Sequence, residues 1–283
     1  WSACSAAIQL GIPVTSDFRT RFDEYSDAYG MKALVPVVRS YLRSFHNRTL
    51  CTFVPTQEIA THLEHHGFND LVVSGRGVDT IAFSPLYRSE TLRRSWKAMG
   101  PVALYVGRLA AEKNLFAVVE AFEAMRSIEP NAKLVLVGDG PLRDALKERC
   151  PDAIFAGMQC GADLAAHYAS ADIFLFASLT ETFGNVTLEA MACGLPVVAY
   201  DIAAAAIHIR DGCNGITVSP GDHAAFSAAA MRLAYNEPLR ERLGEAARLT
   251  ARGAGWDRIL ADFESALLAA TSSANSDVSP CLV

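Results

Sequence analysis

From residue 102 onward, short apolar runs alternate with segments whose apolar residues recur at helical spacing. Residues 102–106, 133–137, 153–156, 173–176 and 196–200 have the length and the branched or aromatic content of buried strands. Between them, residues 115–126, 141–149, 161–169 and 185–193 carry the helical period. Strand and helix alternating at this pace predict β-α-β units, and hence an α/β fold with a doubly wound parallel sheet. Such sheets bind ligands at the carboxyl ends of their strands. The unusual residues fall at those ends: Gly107-Arg108, Gly138-Asp139-Gly140, Gly157 and the run 179–184 each follow a strand directly.

The first 80 residues give a less complete pattern. Residues 12–16, 51–55 and 71–74 read as strands, with helices at 36–48 and 57–65. This reads as half of a Rossmann-like domain, entered in mid-domain at Trp1 without its opening strands. Residues 81–100, with Pro85 and several charges, read as a linker, and 101–255 as a second Rossmann-like domain. After Gly221 come two or three helices with no strand between them, the last over 256–270. The Ser-rich tail 271–283 reads as disordered.

Composition narrows the function classes. The 283 residues suffice for two domains, and 51% hydrophobic with 20% charged residues marks a globular chain. A formal net charge of -6 argues against general nucleic-acid binding, which needs a basic surface to displace counterions. The seven cysteines are scattered with no Cys-x-x-Cys pair, so reduced thiols of a cytoplasmic protein are expected rather than zinc or disulfides. No apolar run approaches the ~20 residues needed to cross a bilayer. Nor does a charged leader precede an apolar stretch, so no signal peptide is expected.

The sharpest chemical signal is Glu181-Thr-Phe-Gly-Asn-Val-Thr-Leu-Glu189. A helix beginning near Gly184 would place Glu181 before its N-terminus and Glu189 about 8 Å along it, at ~1.5 Å of rise per residue. Between the two carboxylates, Gly184, Asn185 and Val186 offer backbone N–H groups, the anion seat of a helix start. Carboxylates accept hydrogen bonds from paired sugar hydroxyls, so the segment suits a phosphate flanked by two sugars. A second signal is Gly107-Arg108-Leu-Ala-Ala-Glu112-Lys113-Asn114, in which two cations bracket a loop and can neutralise a departing diphosphate. Read alone, either segment also fits a solvated surface loop.

Together these segments resemble the retaining GT-B glycosyltransferases of family four. In look they are nearest to bacterial GDP-mannose-dependent mannosyltransferases. Residues 101–265 follow that pattern almost throughout, including Val137-Gly138-Asp139-Gly140-Pro141, Phe155-Ala156-Gly157, Ser170-Ala171-Asp172, Gly194-Leu195-Pro196 and Pro220-Gly221-Asp222. The resemblance implies an acceptor-side first domain and a donor-binding second one, with the terminal helix crossing back to the first. It implies that Arg108 and Lys113 hold the diphosphate, Glu181 the donor sugar and Glu189 the ribose. Gly107, Gly138 and Gly140, with backbone groups of Phe183, Gly184, Asn185 and Val186, would line the donor, and Met158 would lie near its base. The co-substrate would be GDP-mannose or a UDP-hexose, the acceptor a lipid-linked or polysaccharide glycan. No other cofactor and no metal are implied, and the His and Asp residues show no metal-ligand spacing.

Two departures stand out. Where many relatives carry Phe-His-Thr, this chain has Phe18-Arg19-Thr20, so Arg19 is a candidate contact for donor or acceptor, or a structural residue. The glycine-rich loop of the usual first domain is missing, which keeps a non-catalytic nucleotide-sugar binder open; a GT-B epimerase or phosphorylase is the other rival. Arg39, Arg43 and His46 form one stripe of the helix at 36–48, a basic face that suits an anionic inner-membrane surface or plain solvent.

Overall fold

The computed structural model describes residues 2–20 and 34–276. The chain forms two compact units, Trp1–Arg76 with Trp256–Val283, and Gly77–Gly255. The boundary falls between Arg76 and Gly77, and Val78 just beyond it bridges to Gly255, where the chain leaves the second unit.

In the first unit, α1 (Ser2–Gln9) precedes a parallel sheet of three strands, β1 (Ser16–Asp17), β2 (Thr52–Val54) and β3 (Leu71–Val73), in the order β1-β2-β3. The helices α2 (Val35–His46) and α3 (Gln57–His65) connect them. The Thr56 side chain accepts from Ile59 N and so starts α3. Phe18, Val54, Ile59, Ala60, Leu63 and Phe68 make the core, with Leu42 and Leu71 against it. Two expectations change here. Helix α1 was not expected, and the strand expected over 12–16 contributes only Ser16 to the sheet. Ile12 turns back on α1 through a hydrogen bond to Ala7 O (2.9 Å) and stays 53% exposed, so it has no apolar face to fill.

The second unit starts with material that was expected to be a linker. Within 81–100, Pro85–Tyr87 forms a 3-10 turn and α4 spans Glu90–Ser95. Arg93 Nη1 donates to Ser170 O and Asp172 Oδ2, both at 2.8 Å, and Ser89 N donates to Ser170 Oγ (2.9 Å). The charges of this segment therefore fasten it to the unit.

Six parallel strands follow: β4 (Val102–Val106), β5 (Lys133–Val137), β6 (Ile154–Gly157), β7 (Ile173–Phe176), β8 (Val197–Tyr200) and β9 (Ile216–Val218). Their spatial order, β6-β5-β4-β7-β8-β9, is the doubly wound Rossmann order, reversing direction between β4 and β7. Helices α5 (Leu115–Ile128), α6 (Arg143–Arg149), α7 (Gly161–Ser170), α8 (Asn185–Ala192), α9 (Ala203–His208), α10 (His223–Tyr235) and α11 (Glu237–Arg252) cover the sheet. Being covered on both faces, β4, β7 and β8 are buried throughout, which is why each reads as an unbroken apolar run.

The last helix, α12 (Trp256–Ser276), packs within the first unit, with the Phe263 ring 4.5 Å from that of Phe53. It runs on through Ser276, past residue 270, so the start of the expected disordered tail is helical. The remainder of that tail lies outside the described residues.

Candidate donor site

Strands β4 and β7 flank the reversal point of the second sheet, and the segments leaving their carboxyl ends carry both sequence signals. The fold thereby brings together residues far apart in sequence. Lys113 Nζ makes an ion pair and hydrogen bond with Glu181 Oε1, and their side chains are only 15% and 12% exposed. Arg108 stands more open, its side chain 61% exposed, and its Nη1 lies 3.9 Å from the buried carboxylate of Glu112. The Glu112 carbonyl in turn accepts from Ser178 Oγ and Thr180 Oγ1 at 3.4 Å each, so the β7 segment is held to the β4 segment.

Glycines allow the closeness. Gly138 approaches Gly107 so nearly that a Cβ on it would lie 2.0 Å from Gly107 O. A Cβ on Gly140 would lie 2.4 Å from Leu109 O. Leu109 N donates to Asp139 O (3.0 Å) and Leu142 N to Leu109 O (2.9 Å), which locks the two segments side by side. Gly138 and Gly140 thus have a packing reason to be glycine, whatever they do for a donor.

Helix α8 begins at Gly184, whose φ of 84° is the left-handed conformation glycine tolerates. No side chain caps this end, so the first-turn N–H groups at Asn185 and Val186 have no side-chain acceptor. A Cβ on Gly184 would be 3.7 Å from Glu181 Oε2, placing that carboxylate beside the helix start. Phe183 turns the other way. Its ring is buried and its carbonyl is taken by Ala204 N (2.8 Å), leaving it to anchor the segment.

Glu189 sits one turn into α8 and accepts a hydrogen bond from Tyr168 Oη at 2.8 Å. Burial raises its carboxyl above the usual glutamate range, the Tyr168 hydrogen bond offsetting part of the shift. The folded state therefore holds the proton more tightly than the unfolded one, and stability at this group falls as pH rises through the window above the ordinary glutamate value. Glu189→Gln keeps an acceptor for Tyr168 and removes the charge. It is expected to melt higher than the parent at pH 8, with the difference shrinking as pH falls; equal melting of parent and variant at pH 8 would refute the burial cost.

The remaining sequence candidates are placed elsewhere. Met158 follows β6, separated from β4 by β5, and is 81% exposed. Arg19, in the first unit, ties its own sheet together through Asp17 (2.5 Å) and Ser74 O (2.9 Å). The basic stripe of α2 is split, with Arg43 exposed and His46 turned into the unit. His46 is buried and lies 2.9 Å from Ser16 Oγ, in a cluster with Thr49 and Thr52, and burial lowers its pKa although Asp17 pulls the other way. Two tyrosines at the site, Tyr105 and Tyr168, escaped the sequence reading. Their signal was a polar tip inside an otherwise apolar strand or helix face.

Comparison with known proteins bears on the family and the fold. Residues 100–236 match the family model described as glycosyl transferases group 1. A GDP-mannose-dependent alpha-mannosyltransferase of Mycolicibacterium smegmatis is 34% identical over 268 residues, covering 93% of this chain and 69% of that protein. The protein of the same description from Corynebacterium glutamicum is 32% identical, covering 91% and 62%. This chain thus spans roughly two thirds of the length of these relatives, between 62% and 69%. Among solved structures, Anabaena HepE in complex with UDP-glucose superposes with a TM-score of 0.79 at 19% identity, over 94% of this chain and 75% of that one. WaaG, a glycosyltransferase involved in lipopolysaccharide biosynthesis, gives 0.69 at 22% identity over 85% and 71%.

Proposed function

The chain belongs to the glycosyl transferases of group 1, with the GT-B fold, and from that premise we propose that it transfers a hexose with retention at the anomeric carbon. GDP-mannose is the donor we favour, ahead of a UDP-hexose, and a lipid-linked or polysaccharide glycan is the acceptor. The observation that carries this reading is the pairing of Lys113 with Glu181 at the sheet's reversal point, beside the uncapped start of α8.

On this reading the diphosphate lies between Arg108, Lys113 and the helix start, and Glu181 accepts from donor-sugar hydroxyls. Glu189 serves the ribose. Once Lys113 has turned from Glu181 to the diphosphate, the charge that grows on the leaving phosphate as the bond to the anomeric carbon breaks meets two cations and a helix start, which lowers the barrier. The departing phosphate oxygen takes the acceptor's proton. The preference for GDP-mannose rests on the descriptions of the two mannosyltransferases above. The cytoplasmic setting in this reading rests on the sequence, whose seven scattered cysteines include no Cys-x-x-Cys pair.

Thermal melting with GDP-mannose, GDP-glucose, UDP-glucose and UDP-N-acetylglucosamine tests the donor. GDP-mannose should give the largest rise in melting temperature, by mass action on the folded state. A rise with the uridine sugars alone would overturn the choice of base. Phosphate neutralisation is assigned to side chains and backbone, so GDP affinity is expected to be unchanged in EDTA. A loss restored by magnesium would require a metal in the site.

A further inference from the structure

We infer that Tyr105 is a positioning residue for diphosphate recognition, its hydroxyl setting the peptide from which Arg108 projects. The inference rests on the donor-site reading above and deepens it. Tyr105 is the penultimate residue of β4, and its side chain is completely buried. Its hydroxyl donates to Arg108 O at 3.0 Å, the same carbonyl that accepts from Ala110 N at 3.0 Å. The turn at Arg108 is thus held from below as well as from within.

The space for that hydroxyl is specific. Gly107 has φ of 150°, and a Cβ there would come 2.7 Å from Tyr105 Oη, so the glycine and the phenol fit each other. The Tyr105 ring stacks on Phe176 of β7, with centroids 6.2 Å apart and planes at 22°. Phe176 in turn lies 3.5 Å from the Cβ position of Gly184, under the start of α8. The two aromatic rings form one floor beneath both halves of the site, the Arg108 turn on one side and the helix start on the other. A buried hydroxyl with this single task also stays protonated. Burial and the neighbouring Glu181 and Glu112 carboxylates hold its pKa far above the ordinary tyrosine range, so it donates to Arg108 O and takes no part in proton transfer.

Phenylalanine at 105 keeps the ring floor and removes only the hydrogen bond. Isothermal titration with GDP and UDP, and with guanosine and uridine as controls, tests the consequence in the full chain. Tyr105→Phe is expected to bind the preferred nucleoside diphosphate roughly tenfold more weakly, the scale of one lost buried hydrogen bond, while nucleoside binding is unchanged. Because the hydroxyl acts through Arg108, adding Tyr105→Phe to Arg108→Ala should cost nothing beyond Arg108→Ala alone. A purely structural role would instead lower the melting temperature and leave the diphosphate affinity, or make the two substitutions additive; either result overturns the inference. A parent chain that binds neither GDP nor UDP overturns the donor-site reading itself, and parent and Tyr105→Phe chains binding equally well overturn only the role of Tyr105.

Discussion

Lys113→Ala is expected to lower turnover at least about tenfold, since a leaving-group cation contributes about 2–4 kcal/mol to the transition state. The ion pair with Glu181 adds a cost in fold stability for this residue. Glu181 is 12% exposed, and without Lys113 its carboxylate is left partly buried and uncompensated. About 1–2 kcal/mol of stability should go with it, less than for a fully buried pair. Arg108→Ala makes the contrast. Its side chain is 61% exposed, so turnover should fall by a similar factor while melting stays put. Steady-state kinetics and melting curves on both variants check this; near-normal turnover in either would remove the diphosphate assignment.

The two glutamates are expected to fail in different ways. Glu181 lies beside the helix start, and on the proposed reading its contacts to the donor sugar strengthen as the anomeric centre becomes cationic, an effect expressed in kcat. Glu181→Gln also releases Lys113 from its present partner, leaving that cation wholly available to the diphosphate. We therefore expect kcat to fall by roughly a hundredfold, within the range of lost electrostatic contacts, with GDP affinity equal to or above that of the parent. Glu189 is one turn into α8 and tied to Tyr168, and on the proposed reading it serves a ribose that does not change during reaction. Its loss removes uniform binding, so Glu189→Gln should raise the donor KM while kcat holds. The reverse pattern in the two variants would refute the assignment of sugar and ribose.

The contrast between the glutamates also shows what the sequence makes legible. Strands β4, β5 and β7 coincide with the apolar runs read from sequence, because a strand covered on both faces leaves no polar gap. The edge strand β9 was missed: Ile216-Thr217-Val218 is short and only partly buried, too little to stand out. Helix α2 was read nearly to its ends, yet one member of its basic stripe, His46, is buried. Periodicity tells which residues share a face, but not that Ser16, Thr49 and Thr52 would bury His46. The motif residues Arg108, Lys113 and Glu181 were visible one segment at a time. That Lys113 and Glu181, 68 residues apart, neutralise each other before any donor arrives depends on β4 and β7 being neighbours, which only the strand order supplies. Tyr105 and Tyr168 were hidden for a related reason, since a buried tyrosine is apolar to the pattern and polar only at the one atom that matters.

A crystal structure of the chain with GDP tests the central claim most directly. The diphosphate is expected between Arg108, Lys113 and the start of α8, with Lys113 turned from Glu181 toward phosphate oxygen. The opposite end of the same sheet offers a contrasting location, a cavity of about 570 Å³ lined by Arg88, Asp172, Arg240 and Arg248. GDP seated there, with the Lys113–Glu181 pair intact, would contradict the donor site.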